Sequence, residues 1–130
     1  MLILALMLQE IAVPPTMSAP PIDMTAYYSG TLQIDRNGVK DRMAIDRDHR
    51  YITYRVNMPQ IPGQWWFNDD KQFCTLPDRL SSAPKTVFCM ALPAHKIGDT
   101  WTQSFGDAKV VFTLQPGRPR PGLMQKLSRN

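Results

Sequence analysis

The sequence predicts an all-β protein: a single-domain antiparallel meander of about eight strands, curled into a small barrel or a strongly curved half-barrel, with a β-sandwich as the alternative. Three observations carry this expectation. Apolar residues recur at every second position from Thr31 to Gln115, the period of a sheet with one dry face. Turn residues separate these runs at short intervals, and tight turns between successive strands make a meander. No body segment shows the 3.6-residue period of a covering helix. The apolar face is then buried by curling, by a terminal segment or by a partner.

The first strand is expected near 26–36, where Leu32 and Ile34 alternate with Thr31, Gln33 and Asp35. Asn37-Gly38 comes next, and this pair between alternating runs is the strongest short hairpin signal. A two-residue type I′ loop there sets Asp35 opposite Lys40, Gln33 opposite Arg42 and Leu32 opposite Met43. Opposite charges meet on the wet face and apolar residues on the dry face, so register and pattern agree.

The second strand, 39–47, carries Val39, Met43 and Ile45. A turn at Arg47-Asp48-His49-Arg50 leads to the third, 50–58, with Ile52, Tyr54, Val56 and Met58 as its apolar side. A two-residue loop at Asp48-His49 would set Arg42 and Arg55 across from each other on the polar face, beside Gln33. Strands at 64–68 and 72–76 flank a turn at Asn68-Asp69-Asp70-Lys71, and Pro77 to Ala83 has room for one helical turn. The sixth strand is expected at 85–92, and the last two at 100–105 and 108–115. Gly106-Asp107 between the last two reads as a type II′ loop that pairs Trp101 with Phe112.

A chain of 130 residues makes one domain, here 22–115. It is preceded by a signal-like apolar segment and Pro-rich linker, 1–21, and succeeded by a basic, Pro-containing tail, 116–130, expected to be mobile. Leu2 to Leu8 has the length of a secretory h-region, although no Lys or Arg precedes it and Glu10 sits near its end. The alternative is an apolar helix or strand of the mature fold. Thirteen residues of helix reach about 20 Å, short of the roughly 30 Å of a bilayer core. A signal-like N-terminus implies an extracytoplasmic protein, periplasmic or secreted.

Cys74 and Cys89 lie in neighbouring expected strands, which would bring them to disulfide distance; two buried thiols are the alternative. Closing that loop of 15 residues contributes on the order of 3 kcal/mol. The strand cadence resembles that of the curved sheets of periplasmic lipoprotein carriers. Lys96-Ile97-Gly98-Asp99-Thr100-Trp101 resembles a strand-entry phrase of exported β-proteins. Neither likeness assigns a role to a residue.

The net charge of +4 is all in the tail, as Arg118, Arg120, Lys126 and Arg129; the rest balances at 11 basic and 11 acidic side chains. Without interleaved aromatics these four charges make no specific nucleic-acid surface, and allow at most weak membrane-surface contact. No catalytic residue, metal site or cofactor is expected. His49 and His95 lie in expected loops, there is no Gly-x-Ser-x-Gly elbow, and two cysteines do not make a four-ligand metal site. A cleft gathering either histidine with an aspartate would revive an enzymatic reading.

Four residues are candidates for ligand binding. Trp65-Trp66-Phe67 puts large aromatics on both faces of one strand, which leaves Trp66 for a surface or groove. Tyr54 falls on the expected apolar face, and an anionic ligand group would relieve the facing Arg42 and Arg55. The expected function is non-catalytic binding of an apolar or amphipathic ligand on the concave face. The alternative is an accessory protein whose aromatic patch docks an envelope protein. A binder should leave a pocket of roughly 300 Å³ or more, lined by Met43, Ile45, Ile52, Tyr54, Val56, Phe112 and Leu114. A filled core, or coverage by the N-terminal segment, are the alternatives.

Overall fold

Eight antiparallel strands form one strongly curled sheet. The computed structural model describes residues 19–81 and 83–119; the signal-like segment and most of the basic tail lie outside the described residues. A single helical turn, α1 (Thr25–Ser29), precedes the strands β1 (Gly30–Arg36), β2 (Val39–Ile45), β3 (Arg50–Arg55), β4 (Ile61–Phe67), β5 (Phe73–Pro77), β6 (Phe88–Met90), β7 (Thr100–Phe105) and β8 (Ala108–Pro116). Their order in the sheet is β6-β5-β4-β3-β2-β1-β8-β7. Every pair of consecutive strands is laddered except β6 and β7, and β8 pairs back onto β1. This is the circular order of an up-and-down barrel with one ladder missing, which makes a half-barrel with two facing edges.

Both glycine-marked hairpins fold in the predicted register. Leu32 faces Met43 and Asp35 faces Lys40 across the Asn37-Gly38 loop, where φ is +55° and +86°, the signs a type I′ turn requires. Trp101 faces Phe112 across Gly106-Asp107, with Gly106 at φ +62°.

The β2–β3 connection departs from the expectation. Ile45 pairs with Tyr51, and the Asp46 N–H donates to the Arg50 carbonyl, so the loop is three residues, Arg47-Asp48-His49, with His49 at φ +63°. One extra loop residue shifts the register by one and exchanges the faces of β3. Arg42 therefore faces Tyr54, and Arg55 faces Asp41; the two arginines are not opposite each other. Tyr51 turns to the core, while Ile52 and Tyr54 pack with Ala44 in a small separate cluster. Val56 and Met58 are exposed beyond the strand, which a turn closed by Met58 N–H to the Arg55 carbonyl ends at Arg55.

Residues 26–29, expected to begin the first strand, belong to α1 instead. Asp23 accepts the Thr25 N–H, and Gly30 closes the turn by donating to the Ala26 carbonyl. One helical turn is too short to display a 3.6-residue period. Gly30 is extended, and a Cβ there would lie 2.6 Å from the Gln115 carbonyl oxygen and from the Ile97 side chain. The stretch after β5 is a turn, with Ser81 N–H on the Asp78 carbonyl, rather than a helix. The sixth strand is three residues long, and the fourth extends forward to Ile61.

The core fills one end of the half-barrel. Trp65, Phe67 and Phe73 pack ring on ring against Leu32, Ile45 and Leu114. Met24 and Tyr27 of the α1 segment close that end from below. The Tyr27 hydroxyl donates to the Pro93 carbonyl at 2.6 Å, tying α1 to the connection that crosses from β6 to β7.

Candidate functional site

The opposite end of the half-barrel is open. The hairpin tips of β1–β2 and β7–β8 lie there, and below them a cavity of about 360 Å³ enters the sheet. Its walls come from alternate residues of facing strands: Ile34, Met43, Thr53, Phe73, Met90, Val110 and Phe112. Only every second residue of a strand reaches the concave side, so the wall is apolar wherever the period-two pattern is apolar. Of the residues expected to line a pocket, Met43 and Phe112 do so. Ile45 and Leu114 belong to the filled end, Ile52 and Tyr54 lie on the other face of the sheet, and Val56 is exposed.

The cavity wall is interrupted by charge. Asp41 is only 6% exposed and sits on the concave side of β2. Arg55, opposite on β3, donates Nε to its Oδ1 at 2.5 Å and a terminal nitrogen to its Oδ2 at 2.9 Å. Arg36, at the end of β1, donates one terminal nitrogen to the same Oδ2 at 3.0 Å. A near-buried carboxylate requires such partners, because leaving it unpaired in an apolar wall costs several kcal/mol. Asp41 and Arg36 were not legible as site residues. The signal was present in β2, where Asp41 sits in phase with Met43, a charge on the apolar side of the alternation.

The four candidates from the sequence do not converge. Arg55 is at the cavity mouth through Asp41. Arg42 is on the convex face, half-buried beside Gln33 and Tyr54. Tyr54 is buried there, and burial raises its phenol pKa above the ordinary value. Trp66 is half-buried on that face opposite Cys74, away from the cavity. Cys74 and Cys89 are directly opposed on β5 and β6 and form a disulfide, as predicted. The bond is compatible with an oxidising, extracytoplasmic location.

The two edges of the sheet meet without a backbone ladder. Phe88 of β6 and Phe105 of β7 lie 5.7 Å apart by ring centre, and Gln103 donates to the Ala91 carbonyl at 3.1 Å. Both phenylalanines also line the cavity, so the slit between the edges is one of its walls.

Both histidines have structural partners. The His49 ring stacks on Trp65, with Nδ1 at 3.1 Å from the Trp65 carbonyl. His95 lines a shallow open cleft with Asp99, Asp23, Thr25 and Ser29. Its Nδ1 meets Asp99 Oδ2 at 2.9 Å, and that oxygen also accepts the Lys96 N–H, closing the turn that leads into β7. These hydrogen bonds hold the Asp99 carboxyl below its usual pKa, the Lys96 N–H foremost. The cleft hydroxyls bond elsewhere: Thr25 Oγ1 donates to Asp23 and Ser29 Oγ to the Thr25 carbonyl. His95 and Asp99 therefore share a cleft, with its serine and threonine directed away from the imidazole. Among the described residues no group of three or more His, Cys, Asp or Glu is placed to hold a metal ion.

No protein-family model, curated protein or solved structure matches this chain.

Proposed function

We propose that this protein is a non-catalytic, extracytoplasmic binder that holds a small apolar or amphipathic ligand in the open end of its half-barrel. The observation that carries the reading is the cavity of about 360 Å³ with its apolar wall. Protein interiors are packed like organic crystals, and most of their voids are no larger than a water molecule. Engineered apolar cavities of only about 150 Å³ stay dry and take up benzene-sized guests. The space here is open at one end and within the range of small-molecule pockets, and its largely apolar wall is what suits it to an apolar guest. The Cys74–Cys89 disulfide supports the oxidising compartment.

The test is binding of an apolar fluorescent probe, with native mass spectrometry of protein isolated from its own host. The folded protein should take up one probe, and the host material should carry a ligand that competes with it. Val110 lies on the cavity wall, so Val110→Phe should fill the space and abolish uptake while the melting temperature is kept. A folded wild type that binds neither probe nor host ligand would overturn the reading.

A further inference from the structure

The mouth of the cavity carries an unbalanced positive charge. Two guanidinium groups, Arg36 and Arg55, share the single carboxylate of Asp41. The two are bound unequally. Arg55 spends two nitrogens in a bidentate bond, the geometry that commits a guanidinium fork to its carboxylate. Arg36 reaches Asp41 with one terminal nitrogen, and its side chain is 51% exposed at the rim of the apolar space. Its guanidinium is thus partly open to water at that rim. Arg36 and Asp41 are the charged residues among those that line the cavity. The nearby exposed or half-exposed charges of the two hairpin tips, Asp35 with Lys40 and Asp107 with Lys109, cancel in sign.

We infer that the ligand is a free aliphatic carboxylate, with its chain in the cavity and its head group on Arg36. This inference rests on the cavity reading above. Charge complementarity selects the head: an anion at Arg36 balances the mouth, whereas a cation would add to it. The apolar wall selects an aliphatic chain, and the volume bounds its size. At about 30 Å³ per non-hydrogen unit, the share of a water in liquid, a cavity of about 360 Å³ holds roughly a dozen atoms. A guanidinium at a partly exposed rim suits a single oxyanion reached from solvent, because its fork matches a carboxylate in plane.

Calorimetric titration of the full chain with three twelve-carbon probes, below their micellar concentrations, tests this. The probes are dodecanoate, dodecanol and dodecyltrimethylammonium. The carboxylate should bind about tenfold tighter than the alcohol, the factor one charge-assisted hydrogen bond supplies, and the ammonium weakest. The carboxylate-to-alcohol ratio should fall towards one in Arg36→Gln and be partly retained in Arg36→Lys, which keeps the charge without the fork. Added salt should lower the ratio. Equal binding of all three probes would overturn this inference and leave the cavity reading standing. So would tightest binding of the ammonium, or of a lysophosphatidate with the same chain over dodecanoate. Binding of none would overturn both.

Discussion

Asp41 is a carboxylate on the dry side of a sheet, and three guanidinium hydrogen bonds make its position tenable. Removing a partner strands a buried charge, whereas removing the whole pair does not. Arg55→Met should therefore destabilise the fold by about 1–3 kcal/mol, towards the lower end because the Arg55 side chain is 37% exposed. Arg55→Met combined with Asp41→Leu should cost less than Arg55→Met alone. Urea midpoints of the two variants check the order. The tyrosines make a second residue-scale case. Burial raises the pKa of Tyr27, Tyr28, Tyr51 and Tyr54, Tyr27 most. A phenol whose folded pKa lies above its unfolded value contributes stability that is whole below about pH 10 and is lost as the pH rises past it. Stability should thus be flat up to that point and then fall, with tyrosinate absorbance appearing together with unfolding. Tyr27→Phe should make the alkaline fall shallower. Tyrosinate absorbance that rises before unfolding would contradict this.

At the scale of elements, the hairpins read in register were those with glycine in a two-residue loop, whereas the turn at Asn57, left-handed at φ +63°, was read as strand. Asn37-Gly38 and Gly106 advertise positive φ, so their loop lengths and registers could be read directly. The loop before β3 and the three-residue loop at 69–71, closed by the Asn68 N–H on the Gln72 carbonyl, place His49 and Lys71 in the left-handed region, at φ +63° and +61°. Histidine signals that conformation far more weakly than glycine, and lysine does not signal it, so the loop before β3 read one residue too short. Parity then carried the error along the strand, assigning Tyr51 and Arg55 to the wet face and Ile52 and Tyr54 to the dry one. The cavity mouth was lost with it, since Arg55 meets Asp41 only in the true register. His49 tolerates its backbone because its ring lies on Trp65 at 4.3 Å. Deleting Asp48 should force the shorter loop and expel Tyr51 from the core, costing about 3 kcal/mol or more, the scale of losing a large buried aromatic. A denaturant midpoint close to that of the wild type would show that the loop, and not the strand, absorbs the change.

For the whole molecule, the alternation and the one-sided pattern established a curled all-β sheet, but did not decide whether it closes. Closure depends on whether β6 and β7 pair, and the three residues of β6 carry too little pattern to tell. The residues just past β8 gave no sign of being a tie. Arg118, expected in a solvated tail, donates to the carbonyls of Tyr27 and Gly30 and to the Asp46 carboxylate, clasping α1 to the sheet. The short edge strand β6 is held by the Cys74–Cys89 bond as well as by its ladder. Removing that bond with paired Ala substitutions should lower stability by about 3 kcal/mol, from the loop of 15 residues it closes. It should also weaken probe binding, because Phe88 on β6 is part of the cavity wall. Loss of stability with unchanged probe affinity would separate the edge strand from the site.

The unladdered slit between β6 and β7 has a geometric consequence. In a closed barrel the number of strands and their stagger fix the radius, so girth comes in discrete sizes. Here two phenyl rings and one amide bridge the gap. Girth is therefore a continuous variable, set by the bulk of the side chains that meet at the slit. The width of the cavity is thus open to change at Phe88 or Phe105, without adding a strand.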